Sequence, residues 1–230
     1  MSKIIILSAG PGLPEIVNEY GHSSDWIPNI LSKYSIDFKV KKAYENDFGP
    51  IDGIDGWIIT GSKYSVYDDI AWIQNLQKHL INVFSTNKPV LGICFGHQLI
   101  AKALGGKVVK NHLGWELGSF QINLTDKGKN SSLFNGINEL DYFYESHQDV
   151  VSEMPQNATL LASNKKGNQS FKYKNIYGVQ FHPEFSFDIT KKLIDVRLRN
   201  GIKIDDDKLV KCNSGEKILH NFIQILEERK

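Results

Sequence analysis

Short apolar runs alternate with amphipathic helical patterns along the first half of the chain. The apolar runs that predict buried strands are Lys3–Ser8, about 37–41, Gly56–Thr60 and Pro89–Ile93, and the helical patterns are Ser24–Tyr34, Asp69–Ser85 and Gly96–Leu104. Within the second helical pattern, Ile73, Leu76 and Leu80 recur at the three- and four-residue spacing of one helical face. Strands that alternate with helices in this way predict a mostly parallel sheet flanked by helices.

The middle of the chain changes to short β-prone segments. These are Leu117–Leu124, Asp141–Ser146, Thr159–Ser163, Ser170–Tyr173 and Ile176–Phe181. The last two predict a hairpin about Lys174-Asn175, and the whole set predicts an antiparallel extension of the same sheet. We therefore expect an α/β fold with one large, mostly parallel sheet.

Helical patterning returns after Phe187. Asn213, with Glu216 three residues later, predicts the N-terminal cap of a last helix. The run Asp205–Asp207 predicts a solvated turn or helix start rather than a metal site, since no further acidic residues follow it closely. No linker or repeat divides the sequence, so we expect a single domain over residues 1–230 with a helical C-terminal segment at about 187–230.

The composition is that of an ordinary globular protein, with 230 residues, 41% hydrophobic and 23% charged. A net charge of +1 gives no field that would attract nucleic acid or an anionic membrane. The apolar runs are too short to cross a bilayer, and the apolar start leads directly into the turn residues Gly10-Pro11-Gly12 instead of a signal-peptide pattern. We expect a cytoplasmic protein that binds neither nucleic acid nor membrane and needs no cofactor or metal.

One of the two cysteines lies where an apolar strand meets a helix. Cys94 follows Pro89–Ile93, and Gly92 and Gly96 flank it two positions away on either side. A sharp strand-to-helix turn brings those neighbours too close for side chains, as in the nucleophile elbow of hydrolases. The turn places the sulfur at a helix N-terminus, where the dipole favours a thiolate. Cys94 is therefore the candidate nucleophile, whereas Cys212 lies in a polar stretch without such a turn and is expected to be an ordinary thiol.

The candidate base is His182, which ends a predicted strand and begins the tripeptide His182-Pro183-Glu184. Residues i and i+2 of an extended chain point the same way, and Pro183 keeps His182 extended. Glu184 can therefore orient the imidazole and stabilise its protonated form. The other histidines have simpler interpretations: His79 and His220 on helix surfaces, His97 packing or capping the start of its helix, and His22 and His112 in loops without an evident partner.

Together these residues resemble the class I glutamine amidotransferases. Gly92-Ile93-Cys94-Phe95-Gly96-His97-Gln98 matches the family's Gly-x-Cys-x-Gly-x-Gln elbow, and His182-Pro183-Glu184 matches its distant His-Pro-Glu. The resemblance covers nearly the whole chain. It is strongest to free-standing proteins similar to the amidotransferase part of GMP synthetase, which include plant γ-glutamyl peptidases. The segments that carry this closer likeness are Thr60–Ser62, Val66–Asp69, Gly114–Gly118 and Ser146–Asp149.

The resemblance implies a flavodoxin-like three-layer α/β sandwich and assigns roles to individual residues. It makes Cys94 the nucleophile, His182 the base and acid, and Glu184 its partner. It places the oxyanion hole at backbone amides of Phe95 and of the turn Gly61-Ser62, and the substrate's α-amino acid end near Gln98, Ser146 and His147. Two departures from the family are visible: Gly61-Ser62-Lys63 stands where Gly-Gly-Pro is usual, and Gln148 stands where GMP synthetases have glycine.

Three functions remain open at this point. In the first, the chain hydrolyses glutamine and delivers ammonia to a synthase. That synthase would be a separate subunit, because the chain contains no phosphate-binding Gly-x-x-x-x-Gly-Lys-Ser/Thr loop. In the second, it works alone as a γ-glutamyl hydrolase or peptidase on small γ-glutamyl compounds. In the third, it is a non-catalytic regulatory subunit, which the intact nucleophile, base and acid argue against.

Overall fold

The computed structural model describes residues 1–203 and 209–229. Its strands are β1 Ser2–Ser8, β2 Ile36–Lys42, β3 Gly56–Ile59, β4 Val90–Ile93, β5 Lys107–Lys110, β6 Glu116–Gln121, β7 Asn123–Leu124, β8 Tyr142–His147, β9 Asp149–Glu153, β10 Thr159–Asn164, β11 Gly167–Tyr173 and β12 Ile176–Val179. Its α-helices are α1 Pro14–Tyr20, α2 Ser23–Ile30, α3 Ala71–Ser85, α4 Phe95–Ala103, α5 Asp126–Lys129, α6 Phe187–Arg199 and α7 Ser214–Glu227, and 3₁₀ turns cover Ala43–Glu45 and Ser132–Phe134.

Eight strands form one large sheet in the order β2-β1-β3-β4-β12-β11-β10-β7. The pairs from β2 to β12 are parallel, and those from β12 to β7 are antiparallel. The predicted hairpin between β11 and β12 is present. The expected antiparallel extension is present and consists of β11, β10 and β7. Its predicted member Ile176–Phe181 belongs to the parallel part instead, because β12 lies parallel to β4, with Gly178 opposite Gly92.

Two of the middle segments lie partly or wholly outside the large sheet. The predicted strand 117–124 is divided into β6 and β7, and β6 pairs with β8 in a separate two-stranded sheet. A second small sheet joins β5 and β9. These small sheets pack beside the carboxyl end of the parallel strands, where they supply part of the site described below.

The two faces of the large sheet bury separate hydrophobic cores. Alternating side chains of β1 divide between them, Ile4 and Ile6 on one face and Ile5 and Leu7 on the other. The first core is closed by α2 and α7, and the second by α3 and α4. This gives the three-layer α/β sandwich that was expected.

Several boundaries differ from those read from the sequence. The helix α1, which begins at Pro14, was not predicted, and the helix expected at Ser24–Tyr34 ends at Ile30. The side chain of Asn213 makes no capping hydrogen bond; its carbonyl oxygen instead accepts from the backbone N–H of Glu216. The run Asp205–Asp207 lies outside the described residues. None of the described helices combines the length and hydrophobicity needed to span a bilayer.

Candidate active site

Cys94 occupies a strained turn between β4 and α4. Its φ of 51° and ψ of −101° lie in a region that non-glycine residues rarely adopt, at a cost on the order of 1–3 kcal/mol. A Cβ on Gly92 would come within 2.5 Å of the backbone carbon of Gly96, and one on Gly96 would collide with the carbonyl oxygen of Ile59. Both glycines are therefore required for the turn, as the spacing around Cys94 predicted.

His182 and Glu184 are buried and joined by a hydrogen bond. His182 Nδ1 lies 2.8 Å from Glu184 Oε1, and the backbone N–H of His182 donates to the carbonyl oxygen of Tyr144 at 2.8 Å. The ring of Phe185 stacks on the imidazole, with 3.9 Å between ring centres. His182 Nε2 is buried and has no hydrogen-bond partner among the described residues, so this nitrogen is available to a reacting group.

Gly61 shows how closely the cysteine and the histidine approach. A Cβ placed on Gly61 would lie 3.6 Å from Cys94 Cβ and 2.7 Å from His182 Cε1. The two side chains follow neighbouring parallel strands, since Val179 of β12 is paired with Ile93 of β4. The structure therefore brings together two segments that are distant in the sequence, at the carboxyl edge where sites of parallel α/β sheets form.

Burial dominates the electrostatics of Cys94. It raises the pKa of the thiol well above its ordinary range, and the carboxylates of Glu145 and Glu184 raise it further. The backbone N–H of Phe95 acts in the opposite direction by hydrogen bonding to the sulfur, but it does not overcome burial. The sequence-based expectation that the helix N-terminus alone favours a thiolate therefore does not hold for the free site, where the neutral thiol is favoured.

A polar cleft of about 140 Å³ opens beside Cys94. It is lined by Ser62, Lys63, Tyr64, Ser65, Cys94, Phe95, Gln98, Trp115, Ser146, His147, Gln148, Asp149 and Arg197. Six of the site residues expected from the sequence therefore line this cleft: Ser62, Cys94, Phe95, Gln98, Ser146 and His147. Gly61 lies at its edge, against Cys94 and His182. The Nε2 of Gln98 donates to the carbonyl oxygen of Asp149 and to Gln180 Oε1, each at 3.0 Å. Since that nitrogen is taken by the protein, any contact of Gln98 with a ligand has to come from Oε1.

His147 lines the cleft, and its imidazole also contacts a buried pair of carboxylates. Its Nε2 lies 3.0 Å from Glu145 Oε2 and 3.3 Å from Glu116 Oε2. Glu116 is directly opposite His147 in the β6–β8 pair, and Glu145 precedes His147 by two positions on the same strand face. Sequence reasoning missed both glutamates, although the i, i+2 relation of Glu145 and His147 repeats the relation used for His182 and Glu184.

The same three side chains form the one group of potential metal ligands in the described part of the chain, with donor atoms within 4.8 Å of one another. A protonated His147 neutralises one of the two carboxylates, and Asn164 and Gln169 donate hydrogen bonds to the carboxylate of Glu116. The chemistry of the donor set therefore does not require a metal.

A second cavity, of about 90 Å³, lies on the other side of His182. Its walls are mainly apolar and include Leu13, Ile16, Val17, Trp26, Phe185 and Leu193. Arg197 and Lys63 line both this cavity and the polar cleft. The guanidinium of Arg197 lies 5.0 Å from the ring centre of Trp115, and its Nε is buried without a hydrogen-bond partner within the described ranges. Arg197 was not singled out from the sequence, because a single arginine on an amphipathic helix carries no distinguishing pattern.

Three of the other histidines, His97, His22 and His79, have structural roles. His97 is fully buried against Phe171, as the packing interpretation expected, and burial together with His147 lowers its pKa to about 3. His22, for which no partner was expected, caps α2 by accepting from the backbone N–H of Ser24. Its other ring nitrogen donates to the carbonyl oxygen of Gly10 at 2.8 Å. His79 stacks on Phe48.

Comparisons with known proteins agree with this geometry. The model of the family described as glutamine amidotransferase class-I matches residues 15–197. A glutamine amidotransferase-like protein of Schizosaccharomyces pombe is 32% identical over 210 residues, which cover 84% of this chain and 83% of that protein. Gamma-glutamyl peptidase 5 of Arabidopsis thaliana is 36% identical over 162 residues, which cover 69% of this chain and 64% of the peptidase. The crystal structure of a glutamine amidotransferase from Thermotoga maritima superposes with a TM-score of 0.75 at 20% identity, covering 99% of this chain and 97% of that one, and shows that the fold is shared.

Proposed function

This chain belongs to the class I glutamine amidotransferase family and is an enzyme of that class, and on that premise we propose that it hydrolyses a γ-glutamyl amide through a thioester on Cys94. The observation that carries the proposal is the position of Cys94 in a strained elbow, beside an imidazole whose Nε2 is unpartnered and whose Nδ1 is held by Glu184. A nucleophile, a base and an orienting acid in this order are the parts that covalent acyl transfer requires.

The first chemical step forms the thioester. His182 Nε2 removes the thiol proton as the sulfur attacks the δ-carbonyl carbon of the γ-glutamyl group. General-base assistance is needed because the buried Cys94 thiol has a raised pKa. The carbonyl oxygen becomes an oxyanion that accepts hydrogen bonds from the backbone amides of Phe95 and of the Gly61-Ser62 turn. Each such amide contributes about a hundredfold or more to the rate.

The second step releases the products. The imidazolium of His182 gives its proton to the departing nitrogen, and the C–N bond breaks to leave the γ-glutamyl thioester. A water molecule then loses a proton to His182 and attacks the thioester, which yields glutamate and restores the thiol. Glu184 keeps Nδ1 protonated and stabilises the charge on the ring during both transfers.

The polar cleft is the proposed site of the α-amino acid end of the substrate. Ser146 and His147 contribute the backbone of the loop 146–149 to its wall, and Gln98 supports that loop through its hydrogen bond to Asp149. The carboxylate of Asp149 is itself held by Ser65 Oγ at 2.6 Å and Tyr67 Oη at 2.9 Å. These hydrogen bonds join the loop 146–149 to the segment 65–67. The cleft between them is small and polar, which suits a small zwitterionic ligand.

The decisive test replaces the nucleophile. Cys94→Ser is expected to lower glutamate release from γ-glutamyl substrates by a factor on the order of a thousand or more. It should also abolish covalent labelling by a chloroketone analogue of glutamine, measured as added mass on the intact protein. Cys212→Ser is the matched control and should label and turn over like the wild type. Full activity in the Cys94→Ser protein would end the proposal.

The second cavity favours one of the two catalytic alternatives, the partner-independent γ-glutamyl hydrolase. Ammonia needs no apolar pocket, whereas the space between His182 and Trp26 suits an amine that carries an apolar side chain. Two cationic side chains also line this cavity, those of Arg197 and Lys63, and they suit a carboxylate on the same leaving group.

Filling the cavity tests this choice. Val17→Trp is expected to reduce kcat/KM for γ-glutamyl-phenylalanine about tenfold or more by overpacking, while kcat/KM for glutamine stays within about twofold. Equal losses on both substrates would remove the support for a leaving-group pocket. If the purified chain turns over neither substrate until a synthase subunit is added, the ammonia-delivering alternative is favoured instead.

A further inference from the structure

The buried cluster of Glu116, Glu145 and His147 has a protonation pattern that its contacts define. His147 Nδ1 lies 3.1 Å from the carbonyl oxygen of Asp149. A carbonyl oxygen only accepts, so Nδ1 carries a hydrogen. Nε2 faces two carboxylates, which favour a second hydrogen on the ring and hence the imidazolium form of His147. Burial opposes that charge, but the carboxylates of Glu145 and Glu116 outweigh it and raise the pKa of His147.

The two glutamates are not equivalent. Glu116 accepts hydrogen bonds from Asn164 Nδ2 at 2.5 Å and from Gln169 Nε2 at 3.1 Å, so its carboxylate is stabilised independently of the histidine. Neither oxygen of Glu145 receives a well-oriented hydrogen bond from the residues that the structure describes, and the side chain is fully buried. Burial raises the pKa of Glu145 to about 7, while His147 acts in the opposite direction. The charge of Glu145 therefore depends on its ion pair with His147.

The two neighbours of Glu145 on strand β8 both contact the candidate active site. Tyr144, the preceding residue, accepts the backbone hydrogen bond of His182 through its carbonyl oxygen. Ser146, the following residue, lines both cavities. His147 Nδ1 and Gln98 Nε2 both donate to the carbonyl oxygen of Asp149, and these two hydrogen bonds hold the loop 146–149 in place. A shift of the Glu145–His147 ion pair would move the wall of the polar cleft.

Other charged groups surround this cluster. Glu145, Glu184 and Asp149 act together to raise the pKa of Cys94. On α4, His97 is kept neutral by burial and by the charge of His147, and on α6 Arg197 interacts favourably with a Cys94 thiolate. Of these groups, Glu145 is the one that forms an ion pair with His147 within the loop 146–149 from the middle of β8.

We propose that Glu145 is a positioning residue of this enzyme: its ion pair with His147 holds the loop 146–149 in the shape that receives the γ-glutamyl group. The role of that shape in binding a γ-glutamyl group rests on the proposed function. The position of the loop itself is measurable in the free protein without any substrate.

The test compares Glu145→Gln, Glu145→Asp and the exposed control Glu153→Gln. Iodoacetamide alkylation of Cys94 is measured against pH in a Cys212→Ser background, by the added mass. Cys94 lines the same cleft as Ser146 and His147, so loss of the ion pair in Glu145→Gln should change its alkylation rate at each pH by about threefold or more. Glu145→Asp should show the same change, whereas Glu153→Gln should retain the wild-type rate.

Hydrolysis of the best γ-glutamyl substrate supplies the second readout. Loss of the ion pair with His147 in Glu145→Gln should raise KM about tenfold, with kcat within about threefold of the wild type. Glu145→Asp, whose shorter side chain withdraws the carboxylate from His147, should also raise KM. Glu153→Gln should leave both constants unchanged.

A Glu145→Gln protein with the wild-type alkylation rate and the wild-type KM would overturn the inference. A wild-type enzyme that hydrolyses no γ-glutamyl compound would refute the proposed function instead, and the alkylation rates would still decide whether the ion pair holds the loop. If Glu145→Gln does not fold, as judged by its melting temperature, Glu145→Asp carries the test through KM, and an unchanged KM would overturn the positioning role.

Discussion

Gly61→Ala is the substitution for which the structure gives the most direct prediction. The added methyl group would lie 2.7 Å from His182 Cε1 and 3.6 Å from Cys94 Cβ. The second distance is an ordinary contact, whereas the first is far inside the normal approach of two carbon atoms, which is about 3.5 Å. The substitution therefore acts on the imidazole and leaves the cysteine in place.

The expected magnitude follows from the displacement. To relieve the clash, the imidazole has to move by about 0.8 Å, and Glu184 and the stacked Phe185 limit the directions in which it can move. A misplacement of about 1 Å in a reacting group costs roughly a hundredfold in rate, which corresponds to about 2.7 kcal/mol of transition-state stabilisation. We expect kcat/KM for a γ-glutamyl substrate to fall by about that factor.

The assay measures kcat/KM by glutamate release, together with the melting temperature. Gly53→Ala is the control, because Gly53 has a φ of 74° but open space around it, so the substitution strains the backbone without a clash. We expect the control to lose stability and keep its activity, and Gly61→Ala to keep its fold and lose activity. A Gly61→Ala enzyme with at least half of the wild-type kcat/KM would refute the inferred proximity of His182 to the turn at residue 61.

Three further outcomes follow from the structure. Glu184→Gln keeps the shape of the side chain but removes the charge that stabilises the His182 imidazolium, so kcat should fall by about a hundredfold or more with little change in KM, as steady-state kinetics will show. Leu76→Ala opens a hole in the fully buried core between α3 and the sheet and should lower the free energy of unfolding by about 2–5 kcal/mol, measured by urea denaturation; a loss below about 1 kcal/mol would contradict the packing. The folded state raises the pKa of Glu145 to about 7 from its ordinary value of 4.5, so the stability from its bound proton is present below pH 4.5 and is lost as the pH rises through 7. The difference in free energy of unfolding between the wild type and Glu145→Gln, measured by urea denaturation, should therefore be smaller at pH 8 than at pH 5. The opposite trend would contradict the assignment.

Local patterns predicted most of the elements around the site. The elbow was visible because Gly92, Cys94 and Gly96 are neighbours in sequence, and the close approach of the two glycines is a property of the turn itself. The pairing of His182 with Glu184 was visible for a similar reason, since two residues of one extended segment share a face. The short helix α1 was missed because its seven residues bury the side chain of Ile16 alone, which leaves no helical period to detect.

Contacts between distant segments were not available from these patterns. The hairpin β11–β12 was predicted, but its docking with β12 parallel to β4 depends on which edge of the sheet it meets. The cluster of Glu116, Glu145 and His147 depends on the register of β6 against β8, and a slip of one residue would turn Glu116 to the opposite face. The second cavity depends on how α1, α2 and α6 pack against one another.

The sequence by itself therefore determined the three-layer architecture, the nucleophile elbow, the histidine–glutamate pair and the family to which they belong. The elbow and the histidine–glutamate pair depend on backbone geometry within a few residues, and the architecture follows from the alternation of strand and helix patterns along the chain. Only the tertiary structure decided that burial outweighs the helix N-terminus at Cys94, that His147 lies between two buried carboxylates and that Arg197 lines both cavities. These are properties of solvent exclusion and of contacts between separate strands and helices, and they exist only once those elements have packed together.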